Sequence, residues 1–234
     1  MNPRSLLPLA LALLMFPQLA QTLYSPALAD LGRAFGVAPA QAAQSLSVFV
    51  LGFAPGVLLW GRLSDLWGRR PALLGGLTLY VLAIGLQLQV QSFTALLLCQ
   101  ALAALGVAAG SVVTQTLLRD LFRGSELVRV FSLVGMVLAA SPAIGLFSGA
   151  GLVRAWGYQG ALAGLLVLAL ALLGWCARAL PETRAPAPHL APLAGTLWHM
   201  LRDPGIWRSA LLVALFNVCL LYTSDAADDT PCVD

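Results

Sequence analysis

Residues 61–71 read GRLSDLWGRRP, three arginines and an aspartate set between two apolar runs. The chain around them is almost uncharged. Of 234 residues, 59% are hydrophobic and 10% charged, with a mean hydropathy of +0.86. A soluble domain carries about 25% charged residues, so this composition belongs to a protein solvated by lipid. The thirteen basic residues are all arginine and are scattered. They do not form the basic run that tracks nucleic acid, which is therefore no expected partner.

A bilayer core about 30 Å thick needs roughly 20 apolar residues at helical rise. Six such windows are expected: Leu6 to Ala29, Ser45 to Trp60, Ala72 to Val90, Ala95 to Leu118, Val130 to Val153 and Gly160 to Leu180. No backbone group can stay unpaired in lipid, and the runs are too continuous for the alternation of a barrel strand, so the expected class is an all-α membrane protein. Residues 1–180 form a six-helix bundle in this reading. The 4–29 stretch imitates a secretory signal, but it exceeds the usual apolar length and is interrupted by Pro17, Gln18, Gln21 and Thr22, which suits a cavity-lining helix better.

Arginine placement sets the expected orientation. Arg4, then Arg62, Arg69 and Arg70, then Arg119, Arg123 and Arg129, then Arg178, Arg184, Arg202 and Arg208 fall on one side, against Arg33 and Arg154 on the other. The positive-inside bias puts the N-terminus and the 61–71 turn in the cytoplasm.

Beyond the sixth window the proline-rich stretch 181–207 reads as a cytoplasmic linker, and 208–218 starts a seventh helix. The stretch from Ser209 to Tyr222 has only fourteen residues before Asp225, Asp228 and Asp229, too few to cross. The tail CLLYTSDAADD, 219–229, closely resembles an in-frame translation of a sequencing-library transposase adapter. Residues 219–234 are accordingly expected to be non-native, with a C-terminal six-helix half missing.

Within GRLSDLWGRRP, Gly61 and Gly68 permit close backbone approach at two helix ends, Asp65 places a carboxylate near the third helix, and Arg69 and Arg70 supply forked donors. The stretch resembles the G-x-L-x-D-x-x-G-R-R signature between the second and third helices of the major facilitator superfamily. The segments TLYSPAL (22–28), GSVVTQTLLRDLF (110–122), SPAIG (141–145) and LPETR (180–184) extend the resemblance toward its bicyclomycin and chloramphenicol resistance (Bcr/CflA) branch. The resemblance implies a major facilitator fold and export of small drug-like or metabolite molecules across a bacterial inner membrane by alternating access, with protons as coupling ion. It implies that Asp65 pairs with a residue of the other half, that Arg69 and Asp120 bridge neighbouring helix ends, and that Asp65, Arg69, Arg70 and Asp120 gate without touching substrate. Gly135, Pro142, Gly145 and Gly149 resemble the fifth-helix antiporter motif; generic small-residue packing is the alternative.

Gln18, Gln21, Thr22 and Ser25 recur at helical spacing on one side of the first span, and Gln100 stands alone in the fourth. These five are the candidate cavity residues, with interhelical hydrogen bonding as the alternative. Family members typically carry an acid near Gln21 and Thr22 and an arginine near Gln100. Loss of both together is coherent, because either charge alone in low dielectric is costly. The four cysteines, Cys99, Cys176, Cys219 and Cys232, show no ligand spacing, so no metal, cofactor or disulfide framework is expected. No nucleophile–base constellation is present, so no enzyme is expected. A non-transporting sensor or a six-helix oligomeric pore is the alternative function.

Overall fold

A computed structural model describes residues 3–180 and, beyond them, 202–205, 207, 208, 211, 212 and 215. The expected linker, seventh-helix start and tail lie outside the described residues apart from those few positions. The described chain is helical: α1 Leu7–Tyr24, α2 Leu28–Phe35, α3 Pro39–Trp67, α4 Arg69–Gln87, α5 Phe93–Leu121 and α6 Gly124–Ala179. A 3-10 turn, Ser25–Ala27, joins α1 to α2, so Leu7–Phe35 rises as one stretch. Among the described residues five stretches are long and apolar enough to cross a membrane.

The fifth of these counts twice. At 1.5 Å per residue, the 56 residues of α6 would run about 84 Å, nearly three bilayer cores. The helix breaks at Gly157, whose φ of 67° and ψ of −162° are essentially closed to residues with a Cβ. Twelve residues of straight helix would separate Leu152 from Gly164 by about 18 Å. Instead, a Cβ on Gly164 would lie 2.6 Å from Leu152 Cδ1. The second arm therefore folds back on the first, and the two correspond to the fifth and sixth expected windows.

The helices outrun the hydropathy windows. Where the sequence suggests a pass from Ser45 to Trp60, α3 runs from Pro39 to Trp67. Pro39 occupies the first turn, where its missing N–H costs nothing, and the Gln41 side chain accepts from the Ala38 N–H at 3.2 Å. Backbone hydrogen bonding carries a helix past the hydrocarbon boundary, whereas hydropathy reports only the boundary.

Lipid supplies no hydrophobic drive between helices, so close packing must hold them. α5 is the hub. On α3, Cβ atoms at Gly52 and Gly56 would meet α5 backbone at Ala101 and Leu105, 2.6 and 2.8 Å away. On α4, a Cβ at Gly76 would sit 2.8 Å from Gly106 O, and one on Gly106 would sit 2.7 Å from Gly76 O and from Tyr80 N. Trp60 Nε1 donates to Leu105 O at 2.8 Å, tying α3 to the same α5 turn. Outward faces carry Phe147 and Trp156, 77% and 71% exposed. Such faces suit lipid or further helices, not water, and the protein is a multi-pass membrane protein.

Candidate functional site

GRLSDLWGRRP is not the short turn the sequence suggests. Residues 61–67 continue α3, and only Gly68 leaves helical geometry, at φ 105° and ψ 165°. That region is essentially glycine-only. Gly68→Ala is expected to cost about 1–3 kcal/mol, read as a lower midpoint in detergent or SDS unfolding; an unchanged midpoint would show that the break tolerates a side chain. Gly61 corrects a sequence expectation. It lies inside α3, and a Cβ there would meet only Val112 Cγ1, at an ordinary 3.9 Å. Close approach does not explain it.

The one-residue break aims α4's first side chain back across the joint. Arg69 Nη1 donates to Asp65 Oδ1 at 2.6 Å and to Ser64 Oγ at 3.0 Å, while Nε donates to Asp120 Oδ2 at 3.2 Å near the end of α5. Ser64 Oγ in turn donates to Gly61 O at 2.7 Å. One planar guanidinium thus joins three helices, a task for a forked donor rather than a point charge. Arg69 is 11% exposed while both carboxylates are more than 40% exposed, so the cluster borders water. Asp65, which the resemblance pairs with a residue of the other six-helix half, takes its hydrogen bond here from Arg69. Arg70 Nη2 donates to Ala177 O at 2.8 Å. Ala177 lies in the last turn of α6, where carbonyls lack helical partners and a cation is favoured.

The cavity residues divide. Gln18 and Gln21 line a cavity of about 130 Å³ with Pro17, Phe49, Val50 and Phe53. Thr22 does not line it: its hydroxyl donates to Gln18 O at 2.8 Å and packs beside Gly145. Ser25 opens the 3-10 turn instead of extending the polar stripe. Gln100 is 3% exposed and accepts from Gln87 Nε2 at 2.8 Å between α4 and α5, away from that cavity.

Gln87, itself 1% exposed, keeps an unpartnered Oε1. Orphaning a buried polar group costs more than removing a pair. Gln100→Leu is therefore expected to destabilise by about 1–3 kcal/mol, and the double variant Gln87→Leu/Gln100→Leu by less than the single one. SDS unfolding midpoints check this; strictly additive losses would show that the amides are uncoupled.

The fifth-helix motif also divides. Ser141, Gly145 and Gly149 form a buried stripe on the first arm of α6, following the buried Val130 and Val134 nearer its start. A Cβ at Gly145 would lie 3.0 Å from Thr22 Cβ, and one at Gly149 would lie 2.9 Å from Leu23 Cα. Gly135 has nothing within 4 Å and takes no part in that contact. Pro142 sits one residue off the stripe, inside the helix.

Sequence reasoning missed Ser64, Gln87, Phe49 and Phe53. Ser64 is visible in retrospect as the hydroxyl beside Asp65, and Phe49 and Phe53 as an i, i+4 pair. Gln87 gives no signal until α4 and α5 are docked.

The Major Facilitator Superfamily pattern matches residues 10–227. The chain belongs to the Major Facilitator Superfamily. This facilitator chain is 33% identical over 184 residues to Multidrug resistance protein D of Escherichia coli K12, covering 77% of the chain and 47% of the relative. It is 36% identical to a chloramphenicol resistance protein of Pseudomonas aeruginosa, covering 80% and 43%. An uncharacterized transporter of Rickettsia bellii is 30% identical, covering 88% and 52%. The chain spans about half the length of these relatives. The resemblance read from Gly61 to Arg70, the major facilitator fold and the drug-resistance branch all hold, and the homologues are transporters, not enzymes.

Proposed function

We propose that the protein to which this chain contributes exports small drug-like or metabolite molecules across the bacterial inner membrane by alternating access. The observation carrying this reading is the Arg69 cluster, which gathers α3, α4 and α5 at one end of the bundle by contacts that can break without unfolding any helix. Asp65, Arg69, Arg70 and Asp120 act as the gate, and the end holding them, with the N-terminus, faces the cytoplasm under the positive-inside bias. The resistance named for the relatives of Pseudomonas aeruginosa and Escherichia coli supports a drug-like cargo. Protons are the coupling ion in this reading. Among the described residues, none that lines the α1/α3 cavity is a carboxylate.

The test is chloramphenicol accumulation in an efflux-deficient bacterium expressing the complete gene. Lower accumulation, restored by a protonophore, is the expected result. Equal accumulation with and without the protein at confirmed membrane levels would sink the proposal.

A further inference from the structure

The small cavity between α1 and α3 has an unusual wall. Two primary amides, Gln18 and Gln21, face two phenyl rings, Phe49 and Phe53, whose planes lie 19° apart with centroids 6.4 Å apart. Neither amide side chain is hydrogen-bonded to another described residue. Both keep donors and acceptors for a guest.

Among the described residues, none that lines the cavity is charged. Along the α1–α2 stretch the next charged residue after Gln21 is Asp30, and along α3 the next after Phe53 is Arg62, nine positions on in each case. That is about 13 Å of helix, well beyond the roughly 4 Å at which either could pair with a guest as a counter-ion. α5 carries no charged residue before Arg119, and α6 carries none from 130 to 153. A charged guest would lose its hydration without gaining a counter-ion. The attraction of a cation for a ring face is smaller than that cost.

Size fixes the rest. An engineered cavity of about 150 Å³ accepts benzene, so about 130 Å³ leaves room for no more than a single ring, whose substituents must lie toward the cavity mouth. Resting on the transport reading above, we propose that this cavity is a charge-excluding subsite. It selects the neutral aromatic ring of a cargo that bears an amide or hydroxyl, with Gln18 and Gln21 as the specificity-determining residues and Phe49 and Phe53 as the wall.

The experiment uses near-isosteric one-ring probes, benzamide, benzamidinium and benzoate, with toluene as an apolar control. Binding to the purified chain in lipid nanodiscs is read by ligand-observed saturation-transfer NMR, and circular dichroism confirms helix content in every variant. Benzamide is expected to bind at least about tenfold more tightly than either ion, a difference of about 1.4 kcal/mol. Gln18→Leu/Gln21→Leu should weaken benzamide about tenfold while toluene is unchanged, and Gln21→Glu should turn the preference toward benzamidinium. Equal binding of the three polar probes, or benzamidinium preferred by the unsubstituted chain, would overturn the subsite. Failure of the transport reading shows separately: neutral-ring selectivity without any change in chloramphenicol accumulation leaves the subsite standing and removes the export.

Discussion

Arg69→Ala is expected to loosen the bundle where α3, α4 and α5 meet, at a cost of about 2–3 kcal/mol. Hydrogen bonds to charged groups contribute about 1.5–3 kcal/mol each, and Arg69 makes two to carboxylates and one to Ser64. The loss is smaller than their sum because Asp65 and Asp120 are 43% and 42% exposed and water replaces part of what they lose. Arg69→Lys should recover less than half, since a point charge cannot span acceptors on two helices. A double-mutant cycle with Asp120→Ala should give a coupling of about 0.5–1 kcal/mol or more, and zero coupling would show that the bridge carries no energy. If the cluster is also the gate, its loss raises the population of the form open at that end. A loss of about 1.4 kcal/mol from the closed form is tenfold in population. A cysteine at Gln21, in a chain whose own cysteines are serine, should then react about tenfold faster with a water-soluble thiol reagent added from that side. An unchanged rate would leave Arg69 a structural residue and remove the gating role.

Legibility in the sequence followed the range of the forces involved. Passes are legible because bilayer thickness imposes a length on any apolar run, and the break at Gly157 falls between two windows already separated. Arg69 and Asp120 are legible because the major facilitator pattern links positions 51 residues apart. Helix ends were not. Pro39 and Trp67 bound α3 through backbone hydrogen bonds, to which hydropathy is blind. Gln100 was visible as a lone polar residue but not as half of a pair, because Gln87 reaches it only once Gly76 and Gly106 let α4 and α5 touch. The polar face of α1 was read as one stripe, yet Thr22 turns its hydroxyl to Gln18 O and packs on α6. A periodicity assigns a side and not a partner.

Four glycines in the first arm of α6 should respond oppositely to the same substitution. Gly135 and Gly151 have nothing within 4 Å of a Cβ. Alanine there removes backbone entropy from the unfolded chain and should be neutral or stabilising by up to about 1 kcal/mol. Gly149 faces backbone, with Leu23 Cα at 2.9 Å and Leu23 C at 3.0 Å from an added Cβ. Backbone cannot rotate away, so Gly149→Ala should cost about 1–3 kcal/mol and Gly149→Leu should separate α6 from α1. Gly145 falls between them, because part of what it meets is the Thr22 side chain, which can change rotamer at the expense of its hydrogen bond to Gln18 O. SDS unfolding midpoints rank the four, and equal effects at all positions would mean that the glycines act by flexibility rather than contact. The consequence extends beyond stability. The helix pushed away is α1, which carries Gln18 and Gln21 into the cavity, so Gly149→Leu should abolish benzamide binding although no cavity residue has changed. Binding retained with α6 displaced would show instead that α3 alone positions α1.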